Sequence, residues 1–138
     1  MKSYSEIEVF TPHELLILEE TIRLVNSLPE DPGWNVRCHE LARAVHQANS
    51  MLRANRPVAT VVDGRFGGVE HSWIQIDRGM KQIILDVYAV GSLPMVQLID
   101  FNGSFGLTGT RRYIEGTPRT DIDDQKIQQL LLAFSAPK

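Results

Sequence analysis

The stretch from residue 69 to residue 88 constrains the fold of this chain most. Val69, His71 and Trp73, with Ile74-Gln75-Ile76, alternate as a strand that has two distinct faces. Asp77-Arg78-Gly79 reads as a hairpin turn, and Gln82-Ile83-Ile84-Leu85-Asp86-Val87-Tyr88 returns as the partner strand. Val58-Ala59-Thr60-Val61-Val62 is mostly β-branched and too short for an independent helix, so it adds a strand before the hairpin. Between the first two strands, Asp63-Gly64-Arg65-Phe66-Gly67-Gly68 reads as a turn or flexible loop. The outcome is three consecutive antiparallel strands.

Helical patterns flank this sheet. Thr11-Pro12-His13-Glu14 combines an N-cap, a first-turn proline and a capping box. Leu15, Leu18, Ile22 and Val25 then follow as one apolar stripe, ending near Ser27-Leu28 before Pro29. A second helix is expected from Arg37-Cys38 to about Ala54, with Leu41, Ala44, Val45, Ala48 and Leu52 on its buried face. Met95 to Phe101 reads as a further strand or a helical turn, and the glycine-rich stretch 102–110 as a loop. Asp121-Ile122-Asp123-Asp124 opens a last helix whose apolar side is Ile127, Leu130, Leu131 and Phe134. Helix, helix, antiparallel strands, helix is an α+β layout, with N-terminal helices on a small antiparallel sheet and a C-terminal helix.

Composition limits what such a domain does. The 138 residues, 43% hydrophobic, suffice for one core and are too few for two ordinary domains, so residues 1–138 read as a single domain. A net charge of -3 argues against nucleic acid or an anionic membrane as partner. No apolar run reaches the roughly 18 residues of a membrane span, and the first residues lack a secretory apolar core. The expectation is a cytoplasmic protein, with export by a signal-independent route left open. A single cysteine, Cys38, excludes an intrachain disulfide and a Cys-only zinc cage.

That lone thiol has a pointed context. Cys38 stands at a helix start just after a Pro/Gly break, where unpaired N–H groups and the helix dipole favour thiolate. His71 lies on the alternating strand, and a turn centred on Gly79 places Asp86 about opposite it, on the same face. Asp86 is then able to hold one imidazole nitrogen while the other faces Cys38. Nucleophile, base and orienter follow in the order Cys, His, Asp. An aspartate inside Ile83-Ile84-Leu85-Asp86-Val87 is costly to bury alone, by several kcal/mol roughly, and so implies a partner.

From residue 34 to residue 88 the chain resembles the transglutaminase-like branch of the papain-like cysteine enzymes. The matching pieces are Arg37-Cys38-His39-Glu40-Leu41-Ala42, Val61-Val62-Asp63-Gly64, His71-Ser72-Trp73-Ile74-Gln75-Ile76 and Ile84-Leu85-Asp86-Val87-Tyr88. Val87 replaces the usual proline after the aspartate, and His39 follows the cysteine directly; neither departure is expected to touch the triad. The resemblance implies a papain-like fold and thiol acyl chemistry through a thioester. Its substrate would be an amide bond of a peptide or protein, cleaved by a protease or deamidase with no cofactor and no metal. Transfer to an amine, as in a transglutaminase, and a catalytically silent peptide-binding module are the alternatives. So short a chain has few loops for recognition, which leaves room for a partner protein. The Cys38 backbone N–H is the first oxyanion donor, and the Asn35 amide or the Trp34 indole the second. Trp73, two residues from His71, is a candidate to shield the imidazole–carboxylate pair or line the cleft, and the segment from Gly64 to Gly68 a candidate cleft border or lid.

Other polar residues read as ordinary. His39 and His46 lie on the second helix, but adjacent side chains at positions 38 and 39 are expected to diverge, which disfavours a metal site. Arg111-Arg112 reads as a solvated pair, and Asp121, Asp123 and Asp124 as helix-start acids.

Overall fold

The structure, a computed structural model, describes residues 10–29, 36–54, 58–78, 81–88, 95–100 and 113–135. In chain order these form α1 (Pro12–Asn26), α2 (Cys38–Ala48), a 3-10 turn (Ser50–Arg53), β1 (Val58–Phe66), β2 (Val69–Arg78), β3 (Lys81–Asp86), β4 (Gln97–Asp100), β5 (Tyr113–Glu115) and α3 (Asp124–Ser135). The strands make one antiparallel sheet in the order β4-β3-β2-β1-β5. The chain is thus α+β, as its element order predicts. No helix among the described residues is long and apolar enough to cross a membrane.

Strand alternation divides the sheet into two faces. Ile74, Ile76, Ile83, Leu85 and Leu98 join Ile17, Leu24, Leu41, Val45, Ile127 and Leu130 in the main core between sheet and helices. Val62, Trp73, Ile84 and Tyr113 form a smaller cluster with Phe66 and Ile99. Residues 74 and 76 belong to one cluster and 73 to the other, which is the period of two expected of a pleated strand.

Several sequence expectations need correction. The segment 63–66 is not a loop but the second half of β1. Asp63 pairs with Ser72, Gly64 with His71 and Phe66 with Val69. Only Gly67 and Gly68 turn, at φ of 60 and 84, the left-handed pair a two-residue hairpin needs. A lid spanning Gly64 to Gly68 is therefore absent. Gly64 is required for another reason: a Cβ there would meet the Ile114 carbonyl oxygen at 2.0 Å and Trp73 at 2.9 Å. β5 lies against β1 at that point, and the sequence reading overlooked β5 altogether.

On α1 the buried side is Glu14, Ile17, Thr21, Leu24 and Val25, while Leu15 and Ile22 are exposed. The stripe is turned from the expected one because two polar residues, Thr21 and Glu14, occupy the inward face. Both are satisfied: the Thr21 hydroxyl donates to the Ile17 carbonyl and accepts from the Asn49 amide, and Glu14 closes the capping box with Thr11. Asn49 also ends α2 six residues before the expected limit at Ala54, because its side chain accepts from the Met51 N–H and opens the 3-10 turn. On α3, Ile127, Leu130 and Phe134 are buried as read, with Asp123 accepting from the Gln125 N–H at its start.

Candidate active site

Cys38 is the first residue of α2, after an extended Arg37 at the N-cap that supplies no side-chain cap. The N–H groups of that turn receive no capping hydrogen bond from the N-cap side chain, so the positive end of the helix dipole lies at the residue that carries the thiol. Arg37 instead embraces the buried Glu40 carboxylate and reaches Asp121, while Glu40 also accepts from the Asp123 N–H. These contacts fasten the tip of α2 to the segment leading into α3. They also pair the Glu40 carboxylate, in the first turn of this helix, with a guanidinium.

The register across the hairpin differs by a step from the sequence estimate. Arg78 pairs with Lys81 and Ile74 with Leu85, so Asp86 continues the ladder opposite Trp73 and diagonal to His71. Residues 79 and 80, between the paired ends, lie outside the described residues. Diagonal neighbours on one face remain in reach of long side chains. His71 Nε2 lies 3.0 Å from Asp86 Oδ1 and 2.8 Å from Oδ2. The tautomer follows from chemistry, since a carboxylate only accepts and Nε2 must therefore donate. Nδ1 is then the nitrogen left for the thiol.

Asp86 is fully buried and well supplied with donors. Besides His71, the Tyr88 N–H donates at 2.8 Å and the Tyr113 hydroxyl at 2.7 Å. Tyr113 was not anticipated. It arrives from β5, an element with no signal of its own in the sequence. Phe66, Trp73 and Tyr113 surround the imidazole: Trp73 stacks on it at a centroid distance of 6.2 Å, Phe66 lies 5.7 Å away and Tyr113 6.3 Å away. Trp73 is only 1% exposed, so it is a wall behind His71 and not an open cleft residue. Its indole N–H has no hydrogen-bond partner among the described residues.

The electrostatics join the three groups. Burial pushes the Cys38 thiol up, but hydrogen bonds from His39 and His71, the His71 charge and the Ser72 backbone N–H bring it down to about 6. Burial pulls His71 down, yet its bonds to Asp86 and Cys38 and the charges of both raise it to about 9. Between those values the thiol is ionised and the imidazole protonated, which is the thiolate–imidazolium pair needed for attack on a carbonyl. Tyr88, whose hydroxyl donates to the Val36 carbonyl, is raised to about 12 by burial and by the charge of Cys38.

One expectation fails outright. The side chains of Cys38 and His39 do not diverge: Sγ lies 3.6 Å from His39 Nδ1. That same nitrogen lies 2.6 Å from the Ser72 hydroxyl oxygen, Ser72 donates to Asp63 at 2.6 Å, and Arg43 donates to Asp63 at 2.6 Å. Reading Asp63 as a turn residue concealed this chain, since as a strand residue it faces Ser72. His46 bonds the Ala59 carbonyl and takes no part in the site. Trp34 and Asn35, the proposed second oxyanion donors, and Arg111-Arg112 lie outside the described residues. Among the described residues no group of three or more metal-binding side chains is gathered.

Compared with family models, curated proteins and solved structures, the chain matches none.

Proposed function

We propose that this chain is a papain-like cysteine hydrolase of the transglutaminase-like kind, acting on an amide bond of a peptide or protein. The observation that carries the reading is the buried His71–Asp86 pair, 2.8 Å apart, beside a thiol at the tip of a helix that the His71 imidazole helps to ionise. In the proposed reaction the Cys38 thiolate forms a C–S bond to the amide carbon, and the carbonyl electron pair moves to oxygen. The Cys38 N–H faces that oxyanion. Collapse breaks the C–N bond as His71 gives its proton to the departing nitrogen, leaving a thioester. His71, now neutral, takes a proton from water as its oxygen attacks; the C–S bond breaks and the thiolate returns. Asp86 keeps Nε2 protonated throughout and compensates the imidazolium charge.

The test uses denatured proteins and glutamine-containing peptides. Free ammonia without new fragments marks deamidation, new fragments mark proteolysis, and incorporation of a dansylated amine marks transfer. The reading predicts one of these products with the wild-type chain and none with Cys38→Ala. A product formed equally by Cys38→Ala removes it.

A further inference from the structure

His39 is one of the two residues by which this chain departs from the pattern it resembles, and its ring is fixed by named partners. Asp63 is an anchored carboxylate: burial pushes its acid up, but Arg43, the Arg119 N–H and Ser72 hold it down at about 2. An ionised carboxylate only accepts, so the Ser72 hydroxyl spends its one proton on Asp63. The Ser72 oxygen, 2.6 Å from His39 Nδ1, is then left as an acceptor, and Nδ1 must carry the hydrogen. The direction of donation in Asp63, Ser72 and His39 is thereby fixed, and it ends in an N–H that also lies beside the Cys38 sulfur at 3.6 Å.

We propose that His39 is a positioning residue, a second imidazole whose Nδ1–H is locked by Ser72 and Asp63 and donates to the Cys38 thiolate. This rests on the cysteine-hydrolase reading above and deepens it. The two histidines divide the work. His71 faces the thiol as a titrating partner that gives and takes a proton. His39 is held as a donor on the helix side and needs no change of protonation to serve. A thiolate accepts from N–H far better than a thioester sulfur, so the bond favours the free enzyme and the sulfur as a leaving group when the thioester breaks. When sulfur is acylated the same N–H still has Ser72, so no buried donor is orphaned. The other groups facing the sulfur are His71 and the Ser72 N–H on β2 and Tyr88 after β3, with the Arg37–Glu40 pair at the helix start.

Two measurements on the full chain test this. The first is the pH midpoint of Cys38 reaction with an aromatic disulfide, in wild type, His39→Ala, His39→Asn and His71→Ala. An asparagine amide N–H sits near the place of Nδ1 and retains the donor. The proposal expects His39→Ala to raise the midpoint by about one pH unit, and His39→Asn to recover most of that change. Equal midpoints in wild type and a folded His39→Ala overturn it. The second needs no variant: nitrogen NMR of the His39 ring must show a protonated Nδ1, and a bare Nδ1 overturns the proposal even where His39→Ala fails to fold. The parent reading fails separately. A midpoint that rises in His71→Ala but not in His39→Ala sinks this proposal alone, whereas one unmoved by His71→Ala sinks the triad.

Discussion

Removing the His71 imidazole offers the sharpest trial of the site, because the result is a crossing of two curves and not a simple loss. Cys38 is the sole cysteine, so every thiol signal comes from it. A thiol brought down to about 6 is roughly 90% ionised at pH 7, whereas one at the ordinary 9.0 is roughly 1% ionised. The lowered thiolate is also a weaker nucleophile: with a Brønsted slope of about 0.4–0.5, a difference of about three pH units costs roughly 15- to 30-fold in intrinsic rate. The two effects nearly offset at pH 7, leaving a net advantage of only about 3- to 6-fold. At pH 5 the population advantage is roughly 900-fold and wins by about 30- to 60-fold, while at pH 9 the ordinary thiol is faster by roughly 8- to 16-fold. These are limits, since His39 and the Ser72 N–H remain in the variant. Stopped-flow reaction with an aromatic disulfide, read by the released aryl thiolate, should therefore show His71→Ala slower than wild type at pH 5 and faster at pH 9. Superimposable profiles, or a wild-type midpoint near 9, would refute the reasoning.

Other consequences follow from the supporting shell. Tyr113→Phe removes one donor to the buried Asp86 carboxylate and should cost about 1.5–3 kcal/mol in urea denaturation, hydrogen bonds to charged groups being worth that much; an unchanged midpoint would show the bond to be idle. Gly64→Ala pushes a methyl into the Ile114 carbonyl and should destabilise by more than about 2 kcal/mol, with the Tyr113 ring losing its near-ultraviolet circular dichroism signal as β5 detaches. For Asp63 the folded acid is depressed to about 2 from 3.8, so its stabilisation is complete above 3.8 and lost as pH falls through 2. That is about 2 kcal/mol, and it should vanish from the acid limb of the stability profile in Asp63→Asn. Ile17→Ala should cost about 2–5 kcal/mol and Leu15→Ala less than about 1, since only the first is in the core; the reverse order would restore the stripe expected from spacing alone.

The legible parts of the fold are those in which one periodic signal dominates. The capping box at Thr11, the β-branched run 58–62 and the apolar return strand each impose one conformation, and all three form, the last as Lys81–Asp86 and two residues short of the expected end at Tyr88. Legibility failed where a polar residue turns inward with its needs met by distant partners. Thr21 and Asn49 satisfy each other across two elements, and nothing local announces it. The same applies to Asp63, whose neighbour Gly64 looks like a turn signal. Gly64 is instead a strand residue that must lack a side chain because β5 comes too close. Close approach and left-handed backbone both select glycine, and a single sequence does not say which one operates.

The pairing of His71 with Asp86 survived a mistaken register for a physical reason. A turn centred on Gly79 makes facing residues sum to about 158, which put Asp86 within one position of His71, while the actual ladder sums to 159 and sets Asp86 opposite Trp73, two residues along. A shift of two keeps every side chain on its own face, whereas a shift of one would have sent the carboxylate to the helix side, against Ile74 and Ile76. The odd sum of the actual ladder, which the even sum of a turn centred on Gly79 would not have given, is what puts His71 and Asp86 on one face. That parity also separates the two histidines. His71 and Asp86 belong to the side of Trp73 and Tyr113, and Ser72 faces the helices, where it meets His39. Cys38, at the end of α2, is influenced by consecutive residues whose side chains leave the strand in opposite directions: His71, whose charge favours the thiolate, and Ser72, which holds the His39 ring beside the sulfur. A thiol in the middle of the helix would meet only one face. The tip of the helix is the position from which one sulfur reaches both.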